Sequence, residues 1–103
     1  MFFSPTAAYN RYNVSRTPML GGVYRLCQSN GSGGSTVFYV GQSSNLRQRL
    51  EDHLQASEQN RCIQNALATG SCYYDWALIQ SQTGRDIAER NLINGYKPAC
   101  NFR

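Results

Sequence analysis

The sequence predicts an α+β fold in which a small sheet is covered by helices, in the order β-β-α-(α)-β-α. Three observations carry this. Two β-rich runs flank a Gly/Ser-rich gap early in the chain, leucines then recur every fourth residue, and an aromatic strand-like run precedes one more helical segment. At 103 residues there is room for one domain. We assign 20–103 to it and 1–19 to a lead-in arm.

The arm contains Pro5 and Pro18 around a polar mixture, with a short helix possible between them. It has no basic stretch followed by an apolar run and is not a secretory signal. Without acids among its Arg, Ser, Thr and Tyr, it has the look equally of a transit peptide and of a basic arm laid on nucleic acid. A frayed tail would serve either.

Leu20–Gln28 reads as the first strand, with Tyr24 and Leu26 alternating against Arg25 and Cys27. Ser29–Ser35 holds three glycines and no apolar side chain, so the chain reverses there. Thr36–Gln42 is the second strand, stopped by Gly41. The two form a hairpin whose loop exceeds the favoured two to five residues, so its register must come from the strands. Ser43 or Ser44 can then cap a helix with Leu46, Leu50 and Leu54 on one face and Arg49 and His53 beside them. A second helical piece spans about 58–68, with Gly70 as its stop. Cys72–Ile79 is apolar except at Asp75 and reads as a central or well-covered strand. The turn at 81–84 leads into a helix over 86–93 with Ile87, Leu92 and Ile93 inward. Gly95 ends it, and Pro98 begins an extended return towards the sheet.

Composition narrows the function classes. With 41% hydrophobic and 12% aromatic residues the chain is not disordered, and no apolar run approaches a membrane span. No acid precedes Glu51, whereas Arg11, Arg16, Arg25, Arg47 and Arg49 do; from Glu51 on, six acids face five bases. That asymmetry suits a polyanion, and arginine forks suit phosphate. The four cysteines include no Cys-x-x-Cys pair and lie mostly in apolar segments, so buried free thiols are expected over a disulfide framework or a zinc site. An intracellular location, cytoplasmic or nucleoid, follows from the same scatter and the missing signal.

The residues able to carry chemistry are Tyr24, Tyr39, Arg49, His53, Glu89 and Asn101. Each alone has a plainer account: strand tyrosines pack, a helical His is usually solvated, and an acid beside Arg90 is usually surface. Their joint occurrence is what matters. Gly22-Val23-Tyr24 and Tyr39-Val40-Gly41 resemble the two halves of the GIY-YIG signature, with Val in place of Ile. Leu46-x-x-Arg49-x-x-x-His53 resembles that family's Arg-containing helix. Glu89-x-x-Leu92-Ile93-x-x-Tyr96-x-Pro98-x-x-Asn101 resembles its C-terminal element.

The resemblance implies a three-stranded antiparallel sheet flanked by helices and a nuclease that cleaves phosphodiesters with a divalent cation, Mg²⁺ or Mn²⁺. It assigns the metal to Glu89 and phosphate neutralisation to Arg49. Tyr39 would bond the scissile phosphate or the water, with Asn101 and Gly41 in support. The general base stays open between Tyr24, which would need a stabilised phenolate, and His53, whose ordinary pKa is better placed. DNA, duplex or branched, is the expected substrate, with Arg11, Arg16, Arg25 and Arg47 as further contacts. One site cuts one strand, so a homodimer or specificity partner would extend its action. The rival is a nucleic-acid-binding module with the same fold and no catalysis. Fourteen residues separate Tyr24 from Tyr39, more than the family pattern suggests.

Overall fold

A computed structural model describes residues 1–102; Arg103, the last position of the expected domain, lies outside them. Strands β2 (Gly22–Ser29) and β3 (Ser35–Ser43) form the hairpin, with Tyr24 opposite Gly41 and a register shift between Leu26 and Cys27. Strand β4 (Cys72–Leu78) runs antiparallel on the other side of β2, placing Asp75 against Arg25.

The sheet has four strands, one more than the three expected, in the order β1 (Ala7–Ala8)-β4-β2-β3. The extra one is β1, which adds to the edge of β4. Backbone bonds from Ser4 N to Trp76 O (2.8 Å) and Tyr9 N to Cys72 O (2.9 Å) extend that pairing. Alanine has little intrinsic strand preference, so the pairing rests on the backbone ladder and its neighbours. A single helical turn, α1 (Arg11–Val14), follows under an Asn10 cap. Tyr9, Val14 and Thr17 are buried, and Tyr9 donates from its hydroxyl to Leu50 O (2.7 Å). The lead-in is thereby tied to the helix that carries Arg49 and His53.

That helix, α2 (Leu46–His53), is capped by Asn45 rather than by either serine; its side chain accepts from Gln48 N. Leu46 and Leu50 are fully buried against the β2–β3 hairpin, whose inward face contributes Tyr24 and Leu26. Helix α3 (Arg61–Thr69) follows its Asn60 cap, inserts Ile63 into the same core and stops at Gly70, whose φ of +80° suits glycine.

Helix α4 (Gln82–Tyr96) covers the opposite sheet face, where Val23, Val40 and Ala77 are buried. It runs through Gly95 and ends at Lys97 in the left-handed region. Ile87 is half exposed, contrary to its expected inward position, and the buried side chain of α4 is Arg85, which donates to Ile79 O (3.0 Å) and Gln80 O (2.8 Å). The expected extended tail is instead a 3₁₀ turn, Ala99–Phe102, lying along β3. A disulfide joins Cys62 to Cys100, so free thiols hold only for the buried Cys27 and Cys72. Among the described residues no helix is long and apolar enough to cross a membrane.

Candidate active site

The site gathers around the free edge of β3. Tyr24 points inward from β2 and crosses its cross-strand neighbour Gly41, where a Cβ would collide with the tyrosine ring and hydroxyl. The missing side chain lets the Tyr24 hydroxyl reach α2, where it lies 2.7 Å from His53 Nε2. Tyr39 completes an aromatic triangle, its ring edge-on to His53 at 5.4 Å and 6.2 Å from that of Tyr24. Arg49, one turn before His53 on α2, is half-buried, and its charge bears on both tyrosine hydroxyls.

Burial sets the protonation states. It raises Tyr24 well above the ordinary phenol value, with the neighbouring Tyr39 adding to the rise and Arg49 opposing it. Tyr39 is raised for the same first reason. Burial lowers the His53 imidazole, against the pull of Glu58. At neutral pH both partners are therefore uncharged, and Tyr24 donates to His53 Nε2. His53 Nδ1 then carries its proton towards Glu58 Oε2, 3.1 Å away. His53 and Tyr24 are each only 1% exposed, and because Nε2 is bonded to the Tyr24 hydroxyl, a proton entering Nε2 comes through that hydroxyl.

Glu89 approaches from α4 on the other side of the strand. Its carboxylate is half-buried, accepts a 3.2 Å hydrogen bond from Gln42 Nε2, and has no ion-pair partner among the described residues. An unneutralised, half-buried carboxylate suits a hard cation that keeps most of its waters, so the donor chemistry fits Mg²⁺ or a similar ion. Asp86, one turn earlier and exposed, accepts from Gln42 (2.6 Å) and Gln82 (2.8 Å), and these bonds hold its carboxyl below the usual value. Asn101 uses both ends of its amide on one residue of β3, accepting from Val40 N and donating to Val40 O, each at 2.8 Å. It occupies edge groups that a further strand would otherwise pair.

The additional cations are scattered. Arg25, expected to contact nucleic acid, is on the far face in a two-pronged pair with Asp75 (2.8 and 2.6 Å), bonded to Tyr96 Oη (2.8 Å) and stacked on Phe3 at 3.6 Å. Its fork is already occupied. Arg47 donates to Thr17 O (2.8 Å), whereas Arg11 and Arg16 are exposed on and just beyond α1. Glu58 and Gln42 were absent from the sequence-derived set. The signal for Glu58 was slight: an acid five residues beyond the histidine, just past the helix end.

Comparison with known proteins identifies the family and the fold. A family model described as the UvrC-like GIY-YIG domain matches residues 20–102. Among curated relatives, UvrABC system protein C of Solibacter usitatus is 31% identical over 92 residues, covering 89% of this chain and 14% of that protein. The Chlamydia trachomatis serovar D protein of the same name is 35% identical over 89 residues, covering 86% and 14%. The chain thus spans about one seventh of the length of these relatives. Among solved structures, a tyrosine point mutant of the GIY-YIG N-terminal endonuclease domain of UvrC from Thermotoga maritima, bound to its catalytic divalent cation, superposes with a TM-score of 0.71 at 22% identity, covering 90% of this chain and 94% of that one. The magnesium-bound domain gives 0.69 at 21%, covering 87% and 92%. These last two show a shared fold.

Proposed function

The chain belongs to the family of UvrC-like GIY-YIG domains, and from that premise we propose that it is a divalent-metal-dependent endonuclease that hydrolyses DNA phosphodiester bonds, one strand per active site. The observation that most supports this is the 2.7 Å bond between Tyr24 and His53, two groups that could each serve as base. Their arrangement favours action in series. Tyr24 touches the attacking water, and His53 supplies basicity matched to neutral pH.

Arg49 neutralises the phosphate, whose charge otherwise repels a nucleophile. Tyr39 orients the water or a phosphate oxygen, and Asn101 holds β3 in place beneath it. Mg²⁺ or Mn²⁺ held by Glu89 would supply further positive charge on the non-bridging oxygens. Arg11, Arg16 and Arg47 are the remaining candidates for backbone contacts, and duplex or branched DNA is the proposed substrate. Cutting both strands would take a homodimer, a second encounter or a specificity partner. An intracellular location belongs to the same proposal; the Cys62–Cys100 bond weighs against it, because disulfides persist mainly in oxidising compartments.

The test is nicking of supercoiled plasmid and of a branched DNA with Mg²⁺ or Mn²⁺, comparing wild type, Glu89→Ala and Tyr24→Phe. The proposal expects nicking by wild type, none with Glu89→Ala, and a loss of roughly 10²-fold or more with Tyr24→Phe. Full activity of Glu89→Ala would overturn the metal assignment. Salt-sensitive binding that survives EDTA, with no cleavage in either metal, would replace the enzyme with a nucleic-acid-binding module.

A further inference from the structure

Glu58 lies in the irregular segment between α2 and α3 and gives its two oxygens separate tasks. Oε1 accepts from the backbone N–H of Asn60, and Oε2 faces His53 Nδ1, both at 3.1 Å. The carboxylate can only accept in both places, so the proton of a neutral His53 is held on Nδ1 and the lone pair on Nε2. We propose that Glu58 is a positioning residue that fixes His53 in its Nδ1–H form and aims Nε2 at the Tyr24 hydroxyl, making Glu58–His53–Tyr24 a proton relay for the attacking water. The relay rests on the nuclease reading of this site.

Each transfer has a donor and an acceptor. As the water oxygen forms its bond to phosphorus, its proton passes to Tyr24 Oη, and the tyrosine's own proton passes to His53 Nε2. The bond from phosphorus to the leaving sugar oxygen breaks, and that oxygen takes a proton from solvent. His53 is left as an imidazolium paired with Glu58. Its extra proton returns from Nε2 through the Tyr24 hydroxyl to water, which restores the Nδ1–H form and balances the proton consumed. Glu58 also lines a cleft of about 270 Å³ with Arg49, Asp52, Gln55, Ser57 and Gln59, so solvent reaches the carboxylate that holds the ring.

The charged and titratable groups near His53 come from every packed element: Arg11 from α1, Tyr24 from β2, Tyr39 from β3, Arg49 and Asp52 from α2, and Glu58 from the loop. Among these groups Glu58 alone contacts Nδ1. A plainly structural role, in which Glu58 only fastens the end of α2 to the start of α3, would not depend on the tautomer.

Glu58→Gln separates the two roles. The amide oxygen must still accept from Asn60 N–H, which turns the amide NH₂ towards Nδ1 and makes Nδ1 an acceptor. The proton then moves to Nε2, which can no longer receive one from Tyr24. His53 is the chain's only histidine, so ring-nitrogen NMR of the whole protein reads the tautomer without ambiguity. Wild type should carry the proton on Nδ1 and Glu58→Gln on Nε2. Asp52→Asn, which removes a nearby charge without touching the ring, should match wild type in tautomer. With DNA, kcat of Glu58→Gln should fall roughly 10²- to 10⁴-fold with KM little changed, while the urea midpoint stays near that of wild type. Retention of Nδ1–H in Glu58→Gln, or the same shift in Asp52→Asn, overturns the inference whatever the wild type cleaves. A wild type that cuts nothing, with the tautomer shift intact, sinks the nuclease reading and the relay with it, while the hold of Glu58 on the ring stands.

Discussion

Opening the Cys62–Cys100 bond should destabilise the domain heavily. Its two cysteines are 38 positions apart, and the enclosed chain contains most of α3 and all of β4 and α4. Releasing a loop of that length restores roughly 4 kcal/mol of chain entropy to the unfolded state at 25 °C. Against the ~5–15 kcal/mol typical of a domain this is a large share, corresponding to a fall of roughly 15–30 °C in Tm for a chain of this size. Damage in the native state should centre on Asn101, whose neighbour Cys100 would then be held to the start of α3 mainly by the 3.2 Å bond from Asn60 Nδ2 to Cys100 O. The assay is thermal and urea unfolding of the oxidised protein, the reduced protein and the Cys62→Ser/Cys100→Ser double variant. Thiols counted in denaturant should number two before reduction, Cys27 and Cys72, and four after it. Four thiols without reductant, or a double variant melting within about 2 °C of wild type, would refute the reasoning.

Gly41→Ala should cost about 1–3 kcal/mol by forcing Tyr24 aside, together with most cleavage activity; an unchanged urea midpoint would show that the tyrosine moves freely. Because burial lowers the His53 pKa, cleavage should rise with pH with its midpoint below 6.5, as the neutral ring becomes available. A rate still climbing through pH 9 would point to a Tyr24 phenolate instead. The same shift carries a stability consequence. Between the lowered folded value and the ordinary ~6.5 of the unfolded chain, the unfolded state binds more protons, so stability should be lost as pH falls below 6.5. Urea midpoints at pH 7.5 and 5, compared with those of a His53→Gln variant, isolate that contribution.

What the sequence made legible was what repeats along it. Alternation placed Tyr24 and Leu26 on one face, and fourfold spacing put Arg49 and His53 on one side of the leucine helix. Glu58 lay beyond that helix, in a segment with no period, so its approach to His53 depends on how the chain turns between α2 and α3. The Cys62–Cys100 pairing was hidden for a related reason: it forms only because the end of the chain returns to α3, and spacing contains no record of that return. Arg25 counted among the early cations because Asp75, fifty residues away, could not be matched to it before the strand register was known. Ser43, Ser44 and Asn45 are all capping types, and the backbone angles alone chose the last. Ile87 kept a helical spacing, yet α4 turns it half towards solvent.

The contact between Tyr24 and Gly41 also bears on inheritance. The glycine at 41 is required by another residue's side chain rather than by its own backbone, so the two halves of the hairpin motif form one mutational unit. The nearest obstacles to a side chain at position 41 all belong to Tyr24; once Tyr24 has given way to a smaller residue, that collision disappears. Loss should therefore run in one order, tyrosine before glycine. A descendant chain with a bulky residue at 41 would mark a lineage whose hydroxyl had already gone.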